Sequence, residues 1–205
     1  MKKKPFGVAT NDSETPIHKT KIINGKRVTT WECKAYKCWN HMLERCYSES
    51  LHSKFPTYKD CKPCDDWLLF SKFRDWYDKN YIDGYYLDKD LLVKGNKIYS
   101  PDTCVFIHKT INSFLVDCGV RDTKSLSGAT LRKDNGKFRA RCCNVITGKR
   151  EALGQFASEV DAHLAWAYRK KEIAAMLANS DIHMCNRTRN ALLNINFSQV
   201  NFSED

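Results

Sequence analysis

Apolar positions along the chain recur at two spacings, and each spacing predicts a different kind of element. Tyr36, Trp39, Leu43 and the Cys46/Tyr47 pair return every three or four residues, which predicts a helix over 34–47. The polar run 48–59, broken by Pro56, reads as a loop. A second stripe of Trp67, Phe70, Phe73, Trp76 and Tyr77 predicts a helix over 65–80, with Asp65 or Asp66 as its cap. Its rings read as core packed on the first helix rather than as platforms for nucleic-acid bases. Beyond Gly84 the pattern shortens and breaks like a hairpin: 85–90 as one strand, 94–97 as a loop, 103–107 as the return, then a short helix over 109–118.

Residues 119–127 are polar and read as a linker. Three strands follow, at 129–133, 137–144 and 149–156, turned by Asp134-Asn135-Gly136 and near Thr147-Gly148. A helix is then expected from Ser158 to about 178, with Val160, Leu164, Ala167 and Ala174 marking its apolar face. Residues 1–30 read as a basic arm with a hairpin over 22–28 turned at Asn24-Gly25. The expected organisation is α+β. It comprises an arm (1–30), a helix-and-hairpin domain (31–118), a three-stranded antiparallel sheet packed on one helix (125–178) and a polar tail (179–205) with no assigned element.

Charge sharpens this outline. The net charge is +10, which favours a polyanionic partner. The excess is local: residues 124–153 hold eight Lys/Arg against two acids, and residues 1–30 hold seven against two. Residues 58–90 reverse the balance, with eight acids against six bases. Basic flanks around an acidic middle suggest a DNA-holding surface beside a cation site. No stretch reaches the roughly 18 apolar residues of a membrane span, and the basic start lacks the apolar run of a secretory signal. The expected location is therefore cytoplasmic, without a membrane partner.

Period-two alternation puts Lys137, Arg139 and Arg141 on one face of the middle strand, with Phe138 and Ala140 on the other. Arg132 and Arg150 can join the cationic face from neighbouring strands. Such a ribbon fits the major groove, where Arg pairs with guanine. Lys133 and Lys149, nearer the turns, read as phosphate contacts. The segments SGATLRKDNGKFRARC, GKREALGQF and ASEVDAHLAWAYRKKEIA resemble the APETALA-type (ethylene-response-factor) DNA-binding domain over about 127–178. That resemblance implies sheet-first binding in the major groove of double-stranded DNA.

The acidic middle carries the second candidate site. Asp88-Lys89-Asp90 ends a strand, Gly95-Asn96-Lys97 turns, and Asn112 sits on the helix after the return strand, the order of a ββα-metal hairpin. In such a hairpin a divalent cation stabilises the charge on a scissile phosphate while a nearby base faces the attacking water. Asp88, Asp90 and Asn112 are the candidate ligands for Mg²⁺ or Mn²⁺, and Lys89 a candidate phosphate contact. With YKCWNHMLERCY and PTYKDCKPCDDWLLFSKFRDW, this region resembles HNH-like endonuclease domains of phage and bacterial genomes, over about 36–115. The resemblance implies metal-dependent cleavage of DNA, with homing-type behaviour. The site is degenerate, because Asp88 stands where that family has its histidine base. His108, just before the helix, is the nearby imidazole, with a surface helix-start role as the alternative.

Ten cysteines without a secretion signal read as thiols or metal ligands rather than disulfides. Cys61 and Cys64 form a CxxC that zinc can use if Cys46 and Cys104, or Cys33 and Cys38, complete it. Three functions stay open: an endonuclease guided by the sheet, a non-catalytic DNA-binding regulator, or a host-takeover or anti-defence protein whose target is a host protein.

Overall fold

The computed structural model describes residues 4–117 and 125–198. Its contacts divide the chain into two units, Met1–Phe106 and Ile107–Asp205. The topology is mixed α+β. The expected linker over 119–127 lies mostly outside the described residues.

In the first unit, β1 (His18–Ile23) and β2 (Lys26–Glu32) pair antiparallel. Asn24 and Gly25 turn the ribbon at φ 49° and 73°, the double left-handed turn that matches strand twist. The hairpin expected over 22–28 is thus longer at both ends, and every residue of both strands is exposed.

Helix α1 (Lys34–Tyr47) buries Trp39, Met42, Leu43 and Cys46, the face anticipated from its spacing. The expected loop that follows contains a short helix, α2 (Glu49–Lys54), because the Ser48 hydroxyl accepts from the Leu51 amide and caps it. A two-residue strand, β3 (Lys62–Pro63), precedes a 3₁₀ turn at Asp65–Leu68 and helix α3 (Phe70–Asn80). Neither Asp65 nor Asp66 caps α3. Asp12, far away in sequence, accepts from the Ser71 amide at 2.8 Å and the Ser71 hydroxyl at 2.6 Å. Trp39 donates its indole N–H to the Trp67 carbonyl at 2.7 Å, and Trp67, Phe70, Phe73 and Tyr77 fill the core between α1 and α3. Such buried aromatics dominate this unit's hydrophobic stabilisation.

Strand β4 (Tyr85–Asp88) pairs with β6 (Val105–His108), and α4 (Lys109–Asp117) follows β6 directly, giving a β-β-α order. The connection is not a plain loop. It carries β5 (Ile98–Tyr99), which pairs parallel with β3.

In the second unit, β7 (Ala129–Leu131), β8 (Phe138–Asn144) and β9 (Lys149–Phe156) form an antiparallel sheet with β8 in the middle. Helix α5 (Glu159–Ser180) starts at Ser158, whose hydroxyl accepts from the Asp161 amide at 3.1 Å. Its buried stripe differs from the expected one. Val160 is exposed, while Ala162, His163, Trp166, Ala167, Lys170, Ile173, Ala174, Leu177 and Ala178 are buried. The true stripe contains a histidine and a lysine, so a count of apolar residues rotates the face. The tail left unassigned forms α6 (Asn186–Leu193), which packs on α5, and Phe197 meets Phe114 and Trp166 edge-on.

Candidate nucleic-acid interface and acidic loop

The sheet of the second unit has two chemically different faces, set by period two along β8. Phe138, Ala140, Cys142 and Asn144 point toward α5, with Ala140 and Cys142 essentially inaccessible. Arg139 and Arg141 point away. Cross-strand register extends that outer face: Thr130 and Gln155 flank Arg139, Ala152 lies beside Arg141, and Arg150 beside Cys143. A bulge between Ala140 and Arg141 shifts the β9 register, which brings Arg150 onto the same side as Arg139 and Arg141.

Three features hold this platform against α5. Glu151, on the helix side of β9, receives Arg169 through Nε at 2.6 Å and Nη2 at 3.1 Å, and also Asn144 Nδ2 at 2.8 Å. These bonds hold the Glu151 carboxyl at about 2, well below its ordinary 4.5. The Trp166 ring lies on Gly128, where a Cβ would stand 2.1 Å from Trp166 Cγ. Lys170, fully buried, donates to the Cys143 carbonyl at 3.3 Å and stands over the Phe114 ring at 5.0 Å.

The outer face is electrostatically unsatisfied. Arg139 Nε is buried, yet among the described residues it has no hydrogen-bond partner. Desolvation, followed by repulsion from the Arg141 and Arg132 charges, pulls the Arg139 guanidinium below its ordinary value. Arg132 is the exception among the expected DNA contacts, since its guanidinium grips Asp134, with Nε to Oδ1 at 2.9 Å. Lys133 and Lys137 are exposed around the Asp134–Gly136 turn. Lys149 is exposed at the strand end, but it pairs with Asn144 and so has the opposite parity to Arg150.

The acidic loop is built to close on itself. Asp88 Oδ1 accepts from the backbone amides of Asp90 at 3.0 Å and Leu91 at 2.8 Å. Burial pushes the Asp88 carboxyl up, against the opposing pull of those two amides. Lys89, expected at a phosphate, is only 5% exposed; its ammonium donates to Asp90 Oδ1 and to the Asn96 carbonyl, each at 2.6 Å. Asn96 returns the contact, donating to the Lys89 and Ile98 carbonyls at 2.9 and 2.6 Å. Asp88, Lys89 and Asp90 belong to the first unit, and His108 and Asn112 to the second. His108 is exposed, and its Nδ1 accepts from the Thr110 amide at 3.3 Å, at the start of α4. Asn112 is exposed on α4.

Among the described residues no group of three or more His, Cys, Asp or Glu side chains is placed to hold a metal ion. Within the acidic loop the bonds of Asp88 and Asp90 engage Oδ1 of each carboxylate. The nine described cysteines are free thiols. Burial pushes the Cys46 and Cys104 thiols up to about 12 and raises those of Cys61 and Cys64. Cys61 Sγ approaches the Thr57 carbonyl at 3.8 Å.

Sequence reasoning missed the devices that fix the sheet to α5, because Glu151, Arg169, His163 and Lys170 look like ordinary polar residues in one dimension. The charge asymmetry of 124–153 was the available signal for the outer face. Among the described residues, no helix is long and apolar enough to cross a membrane. No protein-family model matches this sequence, and searches of the curated proteins and of the solved structures return no significant match.

Proposed function

We propose that this chain binds double-stranded DNA through the outer face of its C-terminal sheet and acts as a non-catalytic DNA-binding regulator. The observation that carries the reading is Arg139: a guanidinium nitrogen buried without a partner, beside Arg141 and level with Arg150. A cluster of like charges with unmet hydrogen-bonding capacity is costly alone and is relieved by an anion. Phosphate oxygens and the guanine edge supply such acceptors, and a twisted strand layer fits the major groove. The internal partners of Asp88 and Asp90 favour the non-catalytic form.

The test is fluorescence anisotropy of duplex DNA across a salt series. Binding should weaken linearly in log–log form, because the gain from releasing counterions shrinks as salt rises. Arg139→Ala with Arg141→Ala should weaken binding about 100-fold, as for two contacts of order 1–3 kcal/mol each. Unchanged affinity at low salt would remove the sheet from the interface.

A second reading, a metal-dependent DNA endonuclease, draws on the β-β-α order of β4, β6 and α4 and on the raised Asp88 carboxyl. An Asp with an elevated pKa is a better base than an unperturbed one. Nicking of supercoiled plasmid with Mg²⁺ or Mn²⁺ separates the readings. Asp88→Asn is the informative variant, since it keeps an oxygen for the Asp90 and Leu91 amides while removing the carboxylate. Nicking by the wild type that is lost in this variant would establish the second reading over the first.

A further inference from the structure

The β1–β2 ribbon has an unusual surface. Register places Lys19 opposite Trp31, Lys21 opposite Val28 and Lys26 opposite Ile23, all on one face. Each cross-strand pair joins one lysine to one apolar side chain. The Lys19 ammonium stands 5.8 Å from the centre of the Trp31 ring. Trp31, Val28 and Ile23 are 46%, 41% and 49% exposed, and Ile22 at the turn is 75% exposed. Among the described residues, Lys19, Lys21, Lys26 and Arg27 have no ion-pair partner, and the single acid of the ribbon, Glu32 at its base, faces Lys37 at 3.4 Å.

A two-stranded ribbon with neither face covered is marginal in water, and bare Ile, Val and Trp add no stability to it there. Its chemistry therefore points outward. We infer that the ribbon is a second DNA contact, independent of the C-terminal sheet, that enters a groove of the duplex with the Lys19, Lys21 and Lys26 ammoniums on phosphates and Trp31, Val28 and Ile23 against sugars and base edges. A groove presents anionic rims within a few ångströms of apolar sugar and methyl surface, so interleaved cations and apolar groups match it. A lipid surface asks for the opposite arrangement, with apolar and cationic groups on separate faces.

The test compares full-length variants. Lys19→Ala/Lys21→Ala/Lys26→Ala should bind duplex at least about tenfold more weakly, with the slope of log affinity on log salt reduced by roughly 2–3. The Arg-substituted triple (K19R/K21R/K26R) should retain binding, which shows that charge rather than hairpin folding is read out. Trp31 is the exposed tryptophan among the described residues, so acrylamide quenching should fall when duplex is added, and Trp31→Phe should remove that change. Full protection of Trp31 with the Arg139/Arg141 variant still binding normally would leave the ribbon standing and the sheet reading lost. Unchanged affinity and unchanged quenching in the triple variant would overturn the ribbon contact, whatever the sheet does. Trp31 protection by phosphatidylserine-containing vesicles but not by duplex would also overturn it, in favour of lipid.

Discussion

The β1–β2 ribbon and the C-terminal sheet are both short, antiparallel and basic, yet they hold their charges by different physics. The sheet has an inner face. Ala140 and Cys142 are buried beneath α5, and Glu151 is clamped by Arg169, so the guanidiniums of Arg139 and Arg141 ride on a fixed surface. The price of that fixity is crowding: Arg139 loses solvent and gains like-charged neighbours. The ribbon has no inner face, and its lysines remain solvated beside exposed Trp31, Val28 and Ile23. A buried backing supplies preorganisation and therefore geometric selectivity, whereas an unbacked ribbon adapts to its partner and orders on contact. In the proposed role the sheet would read bases and the ribbon would grip the duplex.

The largest effect expected comes from removing the backing. Gly128 stands at φ 81° with the Trp166 ring where a Cβ would go. Gly128→Ala should cost the C-terminal unit on the order of 3 kcal/mol or more, from overpacking and left-handed strain together. Calorimetry should show an early transition, and DNA binding by the sheet should fall with it while duplex still protects Trp31 from quenching. Equal loss of both signals would mean that the two surfaces are not independent.

Next in size is the Arg139→Ala/Arg141→Ala pair, about 100-fold in affinity. It carries an unusual companion expectation: because the Arg139 charge is repelled and desolvated, the variant should unfold at the same temperature as the wild type or higher. A marked loss of thermal stability would show that these arginines hold the fold rather than a ligand.

A smaller effect is expected from the Glu151–Arg169 clamp, about 1 kcal/mol since the pair is partly solvated. The folded Glu151 carboxyl lies at about 2 against 4.5 when free, so the clamp's contribution is fully present above pH 4.5. It is lost as pH falls from there toward 2, because protonation removes the charge that Arg169 binds. Glu151→Gln should abolish that segment of the pH–stability curve and leave the neutral-pH curve only slightly lower. The least effect of all should come from the ribbon lysines, whose replacement by alanine should leave the unfolding temperature unchanged. A clear shift would mean that the ribbon has a backing within the chain.

Much of this molecule is written locally. The stripes of α1 and α3 follow from aromatic spacing, the Asn24-Gly25 and Asn135-Gly136 turns from residues that tolerate positive φ, and the two faces of β8 from alternation. Charge density along 124–153 marked the cationic face. Other features have no local signature. The cap of α3 comes from Asp12, about sixty residues upstream. The α2 helix sits in a run whose polarity and Pro56 predicted a loop. The buried side of α5 includes His163 and Lys170, whose burial is compensated by the Ser127 and Cys143 carbonyls and by aromatic rings.

The acidic loop shows the division most sharply. The sequence marked Asp88, Asp90 and Asn112 as candidate cation ligands, Lys89 as a candidate phosphate contact and His108 as the nearby imidazole. Only the folded chain decides that the charges of Asp88, Lys89 and Asp90 face each other and the backbone. Sequence by itself determined most of the elements, the amphipathic sides of α1, α3 and β8, and the location of the basic surfaces, since those depend on neighbours within a turn or a strand. Which polar groups are satisfied internally and which are left for a partner was decided by tertiary structure, because hydrogen bonds and desolvation are set by residues distant in sequence and adjacent in space.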